Sequence, residues 1–315
     1  MIVTVTPNPS IDRTLRVPVL RRGEVIRATA TTSEAGGKGI NVARALDEMG
    51  VPAIAIAPAS EATRARLDAL LGGHPPLRLV PIDGEIRTNL SLTEPDGTVT
   101  KVNEPGPALA PEVADRLLDD IAAAIAAIAA RGTVDWVVGC GSLSPGLSDA
   151  FYADLAGRMP DGIRVAIDAD RGALRHAIGG RVALVKPNGV ELEELVGRPL
   201  RTLGDVHDAA SRLVAGGVAQ VLVSLGADGA LAVDGSSACH VEAPIDDVAN
   251  TVGAGDALLA GYLAGGATLS ALPEAVAWSV AACRATGTRM AVVSARDRAA
   301  VVVHEALDRA RPVGG

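Results

Sequence analysis

RVAIDADRGALRHAIGGRVALVKPNGVELEEL, residues 164–195, carries the clearest alternation of strand and helix patterns in the chain. Two short β-branched runs, RVAID and RVALVK, enclose a segment expected to be helical near 172–178, and a second helix is expected over 189–196. Short apolar runs alternating with helices are the pattern of a parallel sheet covered on both faces. The alternation continues in both directions. Before it come a helix from Pro111 to Ala130, the strand VDWVVG and a helix over 148–157; after it come a helix over 204–215 and the strand QVLVSL. GALAVD and ACHVEAP then read as an antiparallel pair, and three closing helices are expected at about 255–265, 270–287 and 297–310.

The amino-terminal third mixes two patterns. IVTVT at 2–6 reads as a buried strand stopped by Pro7 and Pro9, Ile40 to Met49 as a helix ended by Gly50, and VPAIAIAP as the next strand. RLDALLGG closes another helix, and RLVPI is a short strand. Residues 12–35 instead alternate with period two, and IRTNLSLTEPDGTVTKVNEPG at 86–106 reads as a hairpin turning at Pro95-Asp96-Gly97. These two stretches are expected to form a small second sheet. The division predicted is an α/β core of residues 1–11, 36–85 and 104–315 with a discontinuous β lid of residues 12–35 and 86–103.

Composition narrows the function. The 315-residue chain is 48% hydrophobic with only five aromatic residues, so its core must be mostly Ala, Val and Leu. A formal charge of -8 and no basic run argue against a nucleic-acid partner. The run IAAAIAAIAA at 121–130 is too short to span a bilayer, and no targeting segment is read at the start, so no membrane partner is expected and the location expected is cytoplasmic. Cys140, Cys239 and Cys283 are scattered, as are the five histidines, which speaks for buried thiols and against a histidine metal site.

Lysine and asparagine are the informative rarities. Against 26 arginines there are only Lys38, Lys101 and Lys186, and the six asparagines are Asn8, Asn41, Asn89, Asn103, Asn188 and Asn250. All nine fall in TPNPSID, GGKGIN, RTN, KVNEPGP, KPNGVE and NTVGAGD, loops that mostly follow predicted strands, where ligands of open α/β sheets bind.

NTVGAGDALLAG at 250–261 places Gly253, Ala254 and Gly255 just before Asp256 at the opening of an apolar helix. Bare amides and the positive helix end make an anion site, beside which Asp256 can take a proton from an attacking hydroxyl. A plain helix cap is the alternative. In KPNGVELEEL, Asn188 and Glu191 are spaced either to share a hydrated Mg²⁺ or to cap a helix. SLGADGA at 224–230 is either a tight turn or a loop whose amides approach phosphate. Asp12 can accept sugar hydroxyls or serve a turn, and Lys38 with Asn41 can hold an anionic substituent. Neither a Walker phosphate loop nor a dinucleotide fingerprint occurs.

Together, AGGKGINVARAL, KPNGVELEEL, VSLGADGA and TVGAGD resemble, in family order, the signatures of the ribokinase-like sugar kinases, the phosphofructokinase B family. TPNPSIDRT, GGKGINVAR, RTN and VNEPGP are most similar to its 1-phosphofructokinases, with the tagatose-6-phosphate kinases next. The resemblance implies a three-layer ribokinase-like sandwich with a mostly parallel sheet and a β lid, ATP and Mg²⁺ as cofactors, and a ketohexose monophosphate as substrate. It implies Asp256 as base, the amides of Gly253, Ala254 and Gly255 as anion hole, and Glu191 at the metal. Lys186, Asn188, Ser224, Gly226, Ala227, Asp228, Gly229 and Thr251 would bind nucleotide, and Asp12, Gly37, Lys38, Asn41, Arg87 and Asn89 the sugar phosphate. Pairing of two copies through the lid is also implied. Fructose 1-phosphate is the acceptor favoured; the alternatives are a tagatose-6-phosphate or fructose-6-phosphate kinase, and a catalytically weak sugar-phosphate-binding regulator. The chain departs from the family pattern at APASEATR, 57–64, where a glycine pair is usual, and at Ser91, Ser144 and Asn250.

Overall fold

A computed structural model of the chain describes residues 1–314 except Thr288, and the backbone but not the side chain of Arg171. Its large sheet begins with β1 (Ile2–Val5), to which β4 (Ala53–Ala59) and β5 (Leu77–Pro81) add on one side. On the other side follow β8 (Trp136–Cys140), β9 (Arg164–Asp168), β10 (Leu184–Val185) and β11 (Gln220–Ser224). All of these pair in parallel; β12 (Ala230–Asp234), β13 (Ala238–Glu242) and β14 (Val302–His304) then extend the sheet antiparallel. β10 is shorter than the run RVALVK because Pro187 ends it, although the amides of Ala183 and Lys186 still donate to Val165 and Ile167 of β9.

Period-two alternation sends successive strand residues to opposite faces, and this divides the core. Ile2, Trp136, Val138, Leu222 and Ala232 face one layer, under α1 (Lys38–Glu48), α2 (Glu61–Leu71), α8 (Ala254–Ala264) and α9 (Leu272–Arg284). Val3, Val5, Val137, Val221 and Leu231 face the other. That layer lies under α3 (Pro111–Ala129), α4 (Phe151–Arg158), α5 (Arg171–Ala177), α6 (Gly189–Val196) and α7 (Leu203–Ala215). With few aromatics, close helix approach does the packing. A Cβ on Gly261 of α8 would sit 2.8 Å from Ala275 Cα and 2.9 Å from Trp278 Cγ of α9.

A second, smaller sheet forms from parts of the two period-two stretches, but residues 17–29, read as alternating, connect β-strands without forming one. The order of this sheet is β3-β2-β6-β7, from β2 (Ser10–Arg16), β3 (Ala30–Gly36), β6 (Arg87–Thr93) and β7 (Val99–Asn103), with β2 and β6 parallel. β1 passes into β2 through residues 6–9 only, so this sheet is held at the carboxyl end of β1.

The third closing helix expected over 297–310 is not observed. Ser294 and Asp297 form a capping box that starts α10 (Ala295–Ala299), but the helix ends there and Val302, Val303 and His304 pair with β13. The β-branched run 301–303 satisfies an open sheet edge better than it extends a five-residue helix. α9 also stops at Arg284, short of 287, whereas α1 begins at Lys38, two residues early.

Candidate active site

The polar loops gather because they follow the carboxyl ends of β1, β8, β9, β10 and β11. At their centre is a residue that reading lysines and asparagines missed, Asp168, the last residue of β9 and fully buried. Its Oδ1 receives Lys38 Nζ at 2.9 Å and its Oδ2 lies 2.9 Å from Lys186 Nζ. Burial alone would raise this carboxyl, but the two ammonium groups overcome it and hold Asp168 below the usual range. Burial likewise opposes the Lys38 charge, and Asp168, Glu191 and Asp170 more than reverse that, raising its affinity for a proton. The carboxylate thus fixes two cations side by side. The DAD at the end of RVAID was the available sequence signal, hidden among ordinary aspartates.

Lys38 reaches this point because of the glycines around it. A Cβ on Gly37, which has φ 116°, would lie 2.6 Å from Thr6 Cγ2, and one on Gly39 would lie 2.4 Å from Thr6 Oγ1, so only glycine lets α1 start against β1. One turn along α1, Asn41 Nδ2 donates to Asp256 Oδ2 at 2.9 Å.

Asp256 sits in the first turn of α8, buried, and does not cap it. Gly253 is the cap residue at φ 85°, and no side chain caps this helix end; the Ala254 amide makes a long bond of 3.4 Å to the Thr251 carbonyl, which an anion at the helix start would compete with. Burial, with Asp168 nearby and against the Asn41, Lys186 and Lys38 contributions, raises the Asp256 carboxyl to about 6. The plain-cap alternative therefore does not describe this aspartate. Asn250 steadies the loop before it: its Oδ1 accepts from Val252 N at 3.0 Å and its Nδ2 donates to the Gly287 carbonyl at 3.0 Å. Thr251, by contrast, is exposed.

Asn188 and Glu191 do form a capping box: Asn188 Oδ1 accepts from Glu191 N and Glu191 Oε2 from Asn188 N, each at 2.8 Å. This leaves Glu191 Oε1 facing Lys38 Nζ at 3.9 Å. Burial, partly offset by Lys38 and the Asn188 amide, raises the Glu191 carboxyl. No group of three or more His, Cys, Asp or Glu poised to hold a metal occurs among the described residues. A hydrated Mg²⁺ held mostly by phosphate oxygens still fits a single carboxylate oxygen that lies outside the capping box and is only loosely paired with Lys38 at 3.9 Å.

The nucleotide-loop candidates lie alongside. Asn188 bridges Ser224, whose amide donates to the Pro187 carbonyl at 3.1 Å. Gly226, Ala227 and Asp228 form a 3₁₀ turn, and Gly229 has φ 84° with a would-be Cβ 2.1 Å from the Val241 carbonyl oxygen. The Asp228 carboxylate is engaged elsewhere, accepting from Gly314 N at 2.9 Å.

On the small sheet, register places Asp12 beside Asn89, and Asn89 Nδ2 donates to Asp12 Oδ1 at 2.9 Å and to Ser10 Oγ at 3.1 Å. Ser10 Oγ donates to the same Oδ1 at 2.7 Å. A Cβ on Gly36 of the neighbouring strand would fall 2.3 Å from Asp12 Cγ, so this glycine keeps space for the carboxylate. Burial lowers the Arg87 guanidinium from its usual range, offset in part by Asp12 and Asp170, the latter also 3.7 Å from Lys38. Arg87 thereby links the two clusters. Asn41 Oδ1, Asn89 Oδ1 and Arg87 Nε are buried without partners, which is what a polar ligand lying between them would satisfy.

The departures from the family pattern are accommodated locally. Ser144 is buried with its Oγ donating to the Pro7 carbonyl at 3.1 Å, and in the 57–64 segment Ser60 caps α2. Cys140, at the end of β8, is fully buried, and burial pushes its thiol pKa well up, so it stays protonated.

Comparison with known proteins agrees with this geometry. Residues 6–299 match the pfkB family carbohydrate kinase profile. A 1-phosphofructokinase of Rhodobacter capsulatus is 40% identical over 267 residues, 83% of this chain and 82% of that protein. The ATP-dependent 6-phosphofructokinase isozyme 2 of Escherichia coli K12 is 35% identical over 302 residues, 92% of this chain and 94% of that one. The crystal structure of phosphofructokinase-2 from Escherichia coli in complex with substrates and products superposes with a TM-score of 0.82 at 33% identity, covering 95% of this chain and 97% of that chain. The ribokinase-like sandwich expected from the motifs is the fold observed, and the chain belongs to the pfkB family of carbohydrate kinases.

Proposed function

We propose that this kinase transfers the γ-phosphoryl group of ATP to the C6 hydroxyl of fructose 1-phosphate, yielding fructose 1,6-bisphosphate and ADP. The observation that carries the reading is Asp256: a buried carboxyl raised to about 6 at an uncapped helix start, with two lysines fixed nearby on Asp168. Asp256 takes the proton of the acceptor hydroxyl, and the amides of residues 253–255 meet the charge that develops on the transferring group. Lys38 and Lys186 make the local potential more positive and so favour phosphates, and Asn41 keeps the Asp256 carboxylate oriented. Ser224 and the Gly226–Gly229 turn receive the nucleotide. Glu191 Oε1 would hold Mg²⁺ through water, and that ion would neutralise phosphate charge. Asp12, Asn89 and Arg87 hold the sugar phosphate together with Lys38, and the small sheet acts as the lid that excludes water.

The choice of fructose 1-phosphate is supported by the likeness to a 1-phosphofructokinase at 40% identity. Fructose 6-phosphate is the second reading, because a 6-phosphofructokinase isozyme matches over 92% of the chain. ADP release coupled to NADH oxidation, measured with fructose 1-phosphate, fructose 6-phosphate, tagatose 6-phosphate, fructose and ribose, separates them. The expected result is the highest kcat/KM with fructose 1-phosphate; no ADP release with any acceptor would contradict a kinase acting on these sugars.

Two accompanying readings belong with this proposal. Val19, Leu20, Val25, Val99 and Val102, exposed on the lid segments, support pairing of two copies through the lid. No helix among the described residues is long and apolar enough to cross a membrane, and the three free cysteines fit a reducing cytoplasm.

Lys38→Ala should raise KM for a phosphorylated acceptor by at least ~10-fold, the factor for about 1.4 kcal/mol of lost binding, and change KM for unphosphorylated fructose far less. Steady-state kinetics with both acceptors checks this. Equal effects on the two would assign Lys38 to the framework around Asp168 alone.

A further inference from the structure

The family match ends at residue 299, yet the chain beyond it is built into the sheet and then turns back towards the loop at 226–229. β14 places His304 opposite His240 of β13, and the two rings stack at 4.9 Å with 13° between their planes. His304 Nε2 pairs with Glu242 Oε1 at 2.9 Å, and Arg311 takes the other oxygen, Glu242 Oε2. His240, buried, uses its Nε2 to hold the Asp228 carbonyl at 2.9 Å. Further on, Gly314 N donates to Asp228 Oδ2 at 2.9 Å. Asp228 is thus gripped at both its carbonyl and its carboxylate.

The segment that grips it is itself anchored away from the loop. The first amides of α7 have no partners inside their own helix, and those of Leu203 and Gly204 donate to the Arg311 and Arg309 carbonyls at 2.8 and 2.9 Å. Val313 N donates to the Arg201 carbonyl at 3.1 Å, and Arg309 meets Asp208 at 2.8 Å. Gly204 is required here, since a Cβ would fall 2.7 Å from the Arg309 oxygen. The loop between β11 and β12, in contrast, is exposed at Gly226 and Ala227, and its own closure rests on three local backbone bonds, Leu225 N to Gly229 O at 2.8 Å, Asp228 N to Leu225 O at 3.1 Å and Gly229 N to Gly226 O at 3.2 Å.

We propose that the carboxy-terminal segment, residues 301–314, is a positioning element that holds the 226–229 loop in the shape that receives the nucleotide, through His304, Arg311 and the Gly314 amide. The proposal rests on the reading of that loop as the nucleotide site. The segment acts on the loop through Asp228, Glu242 and His240. A loop misplaced by a fraction of an ångström weakens binding at the group it presents while leaving a distant acceptor site intact.

The test compares wild type, Arg311→Ala, Arg311→Lys and His304→Ala in two measurements: KM for Mg·ATP and for the sugar phosphate, and amide hydrogen exchange across residues 225–229. The expected result is a rise of about tenfold in KM for ATP in Arg311→Ala, no more than about twofold in KM for the sugar phosphate, and faster exchange confined to the loop. Arg311→Lys, keeping the charge, should recover most of the loss, and His304→Ala should shift the same two readouts. Should Arg311→Ala fail to fold, a chain ended at Pro312 removes the Gly314 anchor and leaves the Glu242 pairs in place, and the same shifts are expected of it. An unchanged KM for ATP with unchanged loop exchange overturns the proposal, as does a parallel fall in every kinetic constant. If wild type neither binds nor consumes ATP, the reading of the loop falls and this proposal falls with it; if wild type uses ATP and the variants match it, only this proposal falls.

Discussion

Asp256→Asn is expected to lower turnover at least ~10²-fold while leaving ATP affinity within a few-fold, because a positioned base contributes on that scale to the transition state and little to ground-state binding. The substitution is nearly isosteric. Asn41 Nδ2 still finds an oxygen to donate to, and the 253–255 amides remain uncapped, so geometry is retained and only proton acceptance is lost. Steady-state kinetics and nucleotide titration check both halves. A variant with near wild-type turnover would remove Asp256 from the role of base.

The same residue costs stability, and the sign can be worked out. In the unfolded chain Asp256 ionises near its ordinary value of 3.8, whereas in the fold burial raises it to about 6. Between those values the native state binds more protons, so this group's contribution falls as pH rises from about 4 to about 6 and stays reduced above. Asp256→Asn should therefore raise the melting temperature at pH 7 relative to wild type, with a smaller difference at pH 4. A buried carboxylate retained at a stability cost is what a functional role would require.

Asp168→Asn should be the more damaging change to the fold. It leaves Lys186, which is only 4% exposed, and Lys38 side by side without the carboxylate that separates their charges. Breaking a buried ion pair from one side costs roughly 3–5 kcal/mol, and here one acid serves two bases. Urea unfolding at pH 7 is the measurement, and a loss under about 1 kcal/mol would show that the lysines find other partners. The pH dependence runs opposite to that of Asp256. Asp168 is held below its ordinary value, so its stabilisation is present above the unfolded carboxyl range and is lost as pH falls through the folded one. Lys38→Ala is expected to be milder, since Lys186 remains on Asp168 Oδ2.

The two halves of the sequence were legible for different reasons. Alternation of short apolar runs with helices gave the parallel core, because strands buried on both faces must be apolar along their centres, and the centres of RVAID, VDWVVG and QVLVSL are. The small sheet was legible mainly from the β6–β7 hairpin, where Leu90 and Leu92 alternate with polar residues ahead of a Pro-Asp-Gly turn; the long loop at 17–29 between β2 and β3 was not legible. The end of the chain was not: ARDRAAVVVHEALDRA carries helix formers on both sides of a valine run, and only the open edge of β13 decides that the run becomes a strand. The site divided similarly. Rarity of Lys and Asn drew attention to Lys38 and Lys186, which meet on Asp168, to Asn41, which reaches Asp256, and to Asn89, which reaches Asp12. It could not single out Asp168, because aspartate is common here and the value of this one arises from two cations brought in from α1 and β10. Nor does spacing distinguish a capping box from a metal site, and at Asn188 and Glu191 the box is present with one carboxylate oxygen to spare.

The most direct test of the claim that Asp256 is the base is the pH dependence of kcat/KM for fructose 1-phosphate in wild type and in Asp256→Asn. The acid limb of that profile reports the free enzyme's essential base. The wild-type rate should rise with pH through a midpoint near 6 and level above it, and the residual rate of the variant should lack that limb. A wild-type profile flat from pH 5 to 8, or a variant keeping the same limb, would contradict it.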